Sequence, residues 1–377
     1  MSTSIDYRAL TVADLSAFER EMTDLGVSLR RRKGHRDVRH LLRVEAIGRV
    51  CGVIGLLTAW LVPNPLSIFL LAQAMMVQFI IGHHIGHGGY DHVAGLPLRF
   101  HRRRFARGRR RFIDWPEWWN LDDWLYTHNH LHHPKTQTSL DADLMDSRYL
   151  LACPRWVRLA YLIFATLTWK FSYYAPRMHR ERSLRELATP RTSLYDMRPS
   201  DLMNLRDRVV RQLWVRDYLP YVGWRFALPT LIVLPVSEWA AFSMLVNLLL
   251  AELVHNAQAF ICIRPSHCAA DIPLFTREYR DRREFYLQSV LGTINYRVAG
   301  DVTDILHGWT NYQVEHHLWP SLTLLQYRLA RPEVVAICQR HGVPYREAGV
   351  ISRYLKTAKL FMGFEHQTTF DMPDQPT

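Results

Sequence analysis

The stretch Asn311–Pro320, NYQVEHHLWP, decides how this chain is read. Wound as a helix, it sets Gln313, His316 and His317 at i, i+3 and i+4, so a side-chain carbonyl and two imidazoles project from one face. Such a face offers metal ligands but needs partners to complete a site. Outward from it, the chain holds two further histidine sets: His83 and His87 in HHIGH, and His128, His132 and His133 in HNHLHH. The pair His128 and His132 again stacks at i, i+4. An ideal helix turns His133 away from His128, which suits a site that reaches two ions. A lone HxxxH usually marks a solvated helix face. Three clusters at three spacings in one chain do not arise that way.

The chain of 377 residues is 48% hydrophobic, and the apolar residues fall in blocks while charge gathers elsewhere. That pattern points to a membrane. A mean hydropathy of -0.14 leaves much of the chain in water. The five cysteines, Cys51, Cys153, Cys262, Cys268 and Cys338, form no CxxC pair, which indicates a reducing compartment and neither a zinc ribbon nor a disulfide scaffold. Residues Thr11 to Leu25 read as an amphipathic helix capped by Thr11 and Asp14, not as a signal peptide. The basic run from Arg30 through Lys33 then marks the cytoplasmic flank of the first apolar block, or holds anionic lipid.

Two apolar limbs, 46–62 and 66–86, are joined by Pro63-Asn64-Pro65. Each approaches the ~20 residues that cross a ~30 Å hydrocarbon core, so a hairpin of two spans is expected, ending at His83 and His87. An arginine-dense loop, Arg99 to Arg111, places that end on the cytoplasmic side. These arginines also offer a dock for phosphates or for an acidic partner. The net charge of +12 is carried beside apolar blocks without a nucleic-acid-binding motif, so no nucleic acid is expected. Trp115, Trp118, Trp119 and Trp124 read equally as an interfacial belt or as aromatic core. The apolar run from Leu159 to Trp169 is too short to cross and reads as an interfacial or buried helix. A second hairpin is expected from 219–234 and 239–263; Pro220, Arg225 and Pro229 make its first limb the weaker. Neither outer turn contains Lys or Arg, so all three histidine clusters face one side.

The expected architecture is therefore an all-α integral membrane protein with four spans in two hairpins. A basic segment, 1–45, precedes the membrane domain, 46–345, and a tail, 346–377, comes after it; a cytoplasmic helical cap holds the histidines. The last span also carries Glu252, His255, Asn256 and Gln258, and His267 lies just beyond it. Ionisable groups there are costly and default to function. His255 is the first choice as an additional ligand and His267 the second. Imidazoles suit iron, copper, zinc or nickel, and eight or nine candidates exceed what one ion takes. Soluble carboxylate di-iron proteins use paired Glu-x-x-His motifs; this chain has that spacing once in the last span, at Glu252 and His255. A histidine-rich pair of iron ions fits better. Asp141, Asp143 and Glu315 stand beside the clusters as acceptors for ligand imidazoles, or as solvated charge.

HHIGH, HNHLHH and NYQVEHHLWP, in this order and separated by apolar hairpins, resemble the three histidine boxes of the membrane fatty acid desaturases. The glutamine-led third box is most similar to that of the front-end enzymes and their bacterial relatives. The resemblance spans roughly His83 to Tyr345. It implies two irons held by His83, His87, His128, His132, His133, Gln313, His316 and His317, completed by a histidine of the last span. It also implies O2 as co-substrate and a lipid acyl chain, as acyl-lipid, acyl-CoA or acyl carrier, that loses two hydrogens to become an alkene. His84 stands where many relatives carry an acidic residue. Neither HPGG nor GxGxxG occurs, so electrons are expected from a separate donor such as ferredoxin, or cytochrome b5 with its reductase. The excess of Arg over Lys points to a bacterial cytoplasmic membrane. Two rivals stand beside this reading: a di-iron hydroxylase or ketolase, and a histidine-rich metal transporter or sensor that catalyses nothing.

Overall fold

The computed structural model describes residues 15–144, 148–186, 199–297 and 300–372. The proposed cap at Thr11 and Asp14 lies outside these residues. Three helices begin the described chain: α1, Leu15–Arg31; α2, His35–Ala59; and α3, Pro65–Gly86. In α1 the residues Phe18, Met22, Leu25 and Leu29 are buried, the stripe that a 3.6-residue period requires. Asn64 starts α3 by accepting from Ser67 N at 2.8 Å, with Pro65 in the first turn where its missing N–H is harmless. Glycines let α2 and α3 approach closely: a Cβ on Gly48 would lie 2.5 Å from Val77, and one on Gly55 2.8 Å from Leu71.

The longest later helix, Glu238–Ile263, is capped by Ser237, whose Oγ accepts from Ala240 N. It is tied to the turn between α2 and α3 through Asn247. That side chain accepts from Asn64 N at 2.9 Å and donates to Ala59 O at 2.7 Å. Among the described residues, α3 and the helix beginning at Glu238 are the two long and apolar enough to cross a membrane. The other expected limbs do not stand out so clearly. α2 starts eleven residues before the expected span, at His35 rather than at 46, and its first half is polar, with Glu45 pairing Arg49 and Arg99 at 2.6 Å each. The expected limb 219–234 is the end of a helical run from Arg208 to Val233, interrupted by the wide turns Trp214–Tyr218 and Gly223–Ala227. Exposed Val50, Val53, Leu57, Leu231 and Ile232 line the outer faces of both.

Helix Arg155–Trp169 contains the short apolar run. It buries Leu162, Ala165 and Trp169 while Leu159, Ile163 and Phe164 remain exposed, as a helix lying along an interface would. The tryptophan-rich stretch is core and no interfacial belt: Trp115, Trp119 and Trp124 are fully buried. Arg111 holds them, donating to Trp119 O at 2.6 Å and Glu117 O at 3.1 Å as well as to Trp115 O. Lys33, in the first basic run, donates to Gly89 O at 2.9 Å and Ser321 O at 2.5 Å. It thus pins the α1–α2 turn to the loops behind two histidine clusters. Burial lowers its pKa to about 8. Beyond residue 345 the chain continues to pack on the rest. Arg353, fully buried on helix Val350–Met362, donates to both carboxylate oxygens of Asp271, at 2.6 and 2.7 Å.

Candidate metal centre

The first cluster ends α3. His83 and His84 occupy its last turn and His87 caps it. The Nε2 of His83 lies 3.0 Å from Nε2 of His316. His84 commits its Nδ1–H to Ile80 O at 2.9 Å, while its ring lies 5.4 Å from that of His316 and lines the cavity beside the cluster. Two glycines make room for the aromatic wall behind these rings. A Cβ on Gly82 would collide with Trp115 at 2.1 Å, and one on Gly86 with Trp124 at 2.4 Å.

The second cluster departs from the expected α-helix. After Leu121–Tyr126, capped by Asn120, residues Thr127–His132 form a π-helical turn. The wider turn brings i and i+5 onto one face, so Nε2 of His133 comes to 3.2 Å from Nε2 of His128 instead of turning away. His132 points elsewhere: its Nδ1–H donates to Asp141 Oδ1 at 2.9 Å, with Asp143 Oδ2 at 3.5 Å.

The third cluster is a helical turn, Gln313–Leu318, wholly buried. Its face is as expected, but its ligand candidates diverge. His316 joins His83, His87 and His128, with ligand atoms all within 4.8 Å of one another. His317 joins His132 and His267 on the same criterion. His133 bridges the two groups, its ring 4.6 Å from that of His316 and 4.4 Å from that of His317. The Gln313 amide Nε2 sits 2.8 Å from His267 Nε2.

The structure brings His267, the second choice, to the other histidines and leaves His255 apart. His255 is buried, but its Nε2 accepts from Lys170 Nζ at 2.7 Å, and Lys170 in turn pairs with Glu117 at 2.6 Å. Position on an apolar helix could not reveal this, because Lys170 lies far away in sequence. Of the acidic neighbours, Asp141 proves the closest: it is 1% exposed and bonds His132 directly. Asp143 stands farther off, and Glu315 touches no imidazole. Glu315 accepts from Asn295 Nδ2 and Tyr345 OH at 2.8 Å each, and Asn295 Oδ1 accepts from Val314 N at 2.7 Å, so it anchors the third cluster's backbone. Burial raises its pKa to about 7, against those two hydrogen bonds.

Two further groups were missed by sequence reading. Thr136 Oγ1 donates back to His132 O at 2.8 Å and accepts from His317 Nδ1 at 3.2 Å. The Tyr327 hydroxyl donates to Pro320 O at 2.7 Å and accepts from His316 Nδ1 at 3.2 Å. Together with Asp141, these contacts put a proton on Nδ1 of His132, His316 and His317, so that in the neutral ring the free lone pair is on Nε2. Thr136 carried one signal, its i+4 spacing from His132; Tyr327 carried none.

Electrostatics agree with neutral ligands. Burial holds His133, His267, His316 and His317 well below the ordinary imidazole range and pushes His128 down to about 4. His132 is the exception: burial lowers it, but the charges of Asp141 and Asp143 outweigh this and raise it. Nitrogens of His83, His87, His128, His133, His267 and His317 are buried without a hydrogen-bond partner. Buried imidazoles gathered this closely, with nitrogens left unpartnered, are a poor protein core and a good fit to bound metal. A cavity opens onto them, lined by Phe79, Ile80, Trp169, Tyr174, Ile263 and Trp309 together with His83, His128, His132 and His316.

The cavity has an apolar wall of Phe79, Ile80, Trp169 and Ile263 facing the histidines, and comparison with known proteins identifies the class of protein to which such a site belongs. The fatty acid desaturase family model matches residues 58–349. The chain is 25% identical to the NADPH-dependent stearoyl-CoA 9-desaturase of Mycobacterium tuberculosis, over 94% of this chain and 81% of that protein. It is 23% identical to fatty acid desaturase 3 of Bos taurus, over 90% of this chain and 68% of the other. A Delta(8)-fatty-acid desaturase of Euglena gracilis is 39% identical over 66 residues, 18% of this chain and 16% of its own. The chain belongs to the fatty acid desaturase family, and it is an oxidoreductase acting on a fatty acid.

Proposed function

We propose that this chain is an oxygen-dependent, di-iron fatty acyl desaturase that crosses the membrane four times and places its histidines on the cytoplasmic side. The observation that carries the reading is the convergence of buried imidazoles into two adjoining groups beside a cavity with an apolar wall. His83, His87, His128 and His316 would hold one iron. His132, His267 and His317 would hold the other, with Gln313 against that group and His133 between the two. Bound iron supplies the means to reduce O2 and oxidise an unactivated C–H bond.

The chain's own residues do the rest. Asp141, Thr136 and Tyr327 fix which ring nitrogen carries the proton. Phe79, Ile80, Trp169 and Ile263 present an apolar wall that aligns one carbon pair of the acyl chain and excludes bulk water. In the net reaction one CH2–CH2 becomes CH=CH while a donor supplies two electrons, two protons are taken up, and O2 leaves as two waters. That donor is a separate protein, ferredoxin or cytochrome b5 with its reductase. The membrane is the bacterial cytoplasmic membrane.

The test is metal analysis of protein purified under reducing conditions, with mass spectrometry of lipids from cells with and without it. Two irons per chain and products lighter by two hydrogens are expected. Products heavier by one oxygen would make it a hydroxylase; zinc with unchanged lipids would overturn the reading.

A further inference from the structure

One face of α2 carries Arg36, Arg39 and Arg43, spaced i, i+3 and i+7. These exposed arginines line a cleft with His40 and Ile47, closed on the far side by Asp301, Ile305, Leu325 and Arg328. Several other arginines near the histidine clusters are paired, Arg99 with Glu45, Arg107 with Asp122 and Arg110 with Asp114. Among the described residues Arg36, Arg39 and Arg43 have no ion pair. The one carboxylate in the cleft, Asp301, is engaged by Arg328 at 2.5 Å. The cleft therefore keeps an uncompensated positive charge.

Its floor is Trp309, which also lines the cavity beside the histidines. Trp309 is 4% exposed, and its ring stands edge-on to His40 at 5.8 Å. Both the indole Nε1 and His40 Nδ1 are buried without a partner. The backbone of Trp309 is left-handed, φ +57°, directly after Gly308 at +58°. For a bulky residue this conformation is strained and persists only where surrounding structure imposes it, commonly at ligand clamps. A second basic cleft, with Arg102, Arg103, Arg107, Arg182 and Arg185, differs on both counts. It includes Asp122 and Glu186, and it shares no lining residue with the histidine cavity.

We infer that the α2 cleft receives the phosphate-bearing head group of the acyl substrate, and that Trp309 is the partition the acyl chain passes to reach the histidines. The inference rests on the desaturase reading. Guanidinium forks on one helix face match phosphate oxygens, and an apolar chain attached to that phosphate must enter a cavity next to it. Trp309 is the residue common to both spaces. The phosphate belongs to coenzyme A or to a phospholipid, and the two are separated by test.

The full chain in detergent, and the triple variant Arg36→Gln/Arg39→Gln/Arg43→Gln, are titrated with stearoyl-CoA, distearoyl phosphatidylglycerol and methyl stearate, with iron content and Tm measured alongside. The triple variant is expected to keep iron and Tm and to bind one phosphate probe about tenfold or more weakly, with methyl stearate unchanged. Weakened stearoyl-CoA identifies a thioester substrate, and weakened phosphatidylglycerol a lipid one. In the wild type, added salt should weaken the same phosphate probe and spare the ester. Equal affinities in wild type and variant, or equal loss for methyl stearate, overturn the inference while leaving an iron-loaded desaturase standing. A wild type that binds no acyl probe and no iron overturns both.

Discussion

Gly86→Ala sets two magnitudes against each other. Gly86 ends the regular part of α3, where alanine is favoured over glycine by up to about 1 kcal/mol. The added methyl, however, would lie 2.4 Å from Trp124 Cζ3 and 3.2 Å from Leu125 Cδ2. Ordinary carbon contact begins near ~3.5 Å, so the indole must move by about an ångström. Trp124 is fully buried against Trp115, 5.9 Å between ring centres, and lies 4.9 Å from His83 and 4.6 Å from His128. With Trp115 behind it, the displacement is transmitted to the histidines. Overpacking of this kind costs about 1–3 kcal/mol, so the net effect on stability is a loss of up to about 2 kcal/mol. A metal site tolerates only about 0.5 Å of ligand displacement, so function suffers more than fold. We expect Tm to fall by a few degrees, iron content by half or more, and turnover at least about tenfold. Iron is read by elemental analysis of the purified variant and unfolding by a thermal melt in the same detergent. A Gly86→Ala protein with full iron and wild-type turnover would refute the argument that Trp124 braces the histidines.

Three other substitutions probe the centre. Asp141→Asn removes the charge that holds His132 and should weaken iron binding about 10–100-fold in competition with a chelator; unchanged affinity would make Asp141 a spectator. His267→Ala should lose iron while His255→Ala keeps it, read as metal per chain, and the reverse result would make His255 the ligand. Tyr327→Phe leaves His316 Nδ1 without its acceptor and Pro320 O without a donor. The expected cost is about 1–3 kcal/mol of stability with slowed turnover, and a variant matching wild type in both would remove Tyr327 from the site.

What could be read from the sequence was whatever lies within a few residues along the chain. The i, i+3, i+4 spacing of Gln313, His316 and His317 gave their shared face correctly, and the apolar limbs gave α3 and the helix at Glu238. Spacing could not reveal that His316 and His317 serve different groups, because that depends on what surrounds the turn. Nor could it show the π turn at Thr127–His132, since the expected angle for His133 assumed 3.6 residues per turn. The remaining surprises are pairings distant in sequence: Lys170 capturing His255, Asn295 and Tyr345 capturing Glu315, and tryptophans buried where their composition equally suited an interface. Two expected spans were blurred by polar residues that fold inward or pair, such as Arg49 with Glu45 in the first and Arg225 against Met75 in the other.

The divergence of adjacent residues His316 and His317 has a consequence for assembly. In the proposed two-iron centre this one helical turn carries a ligand for each ion, so the ion that orders it in the apoprotein presents a ligand to its neighbour at no further conformational cost. Filling the first position thus raises affinity at the second, and by linkage the reverse holds equally. Iron uptake by apoprotein should therefore be sigmoidal, with half-filled molecules scarce at every stage of a titration and native mass spectra dominated by zero and two ions.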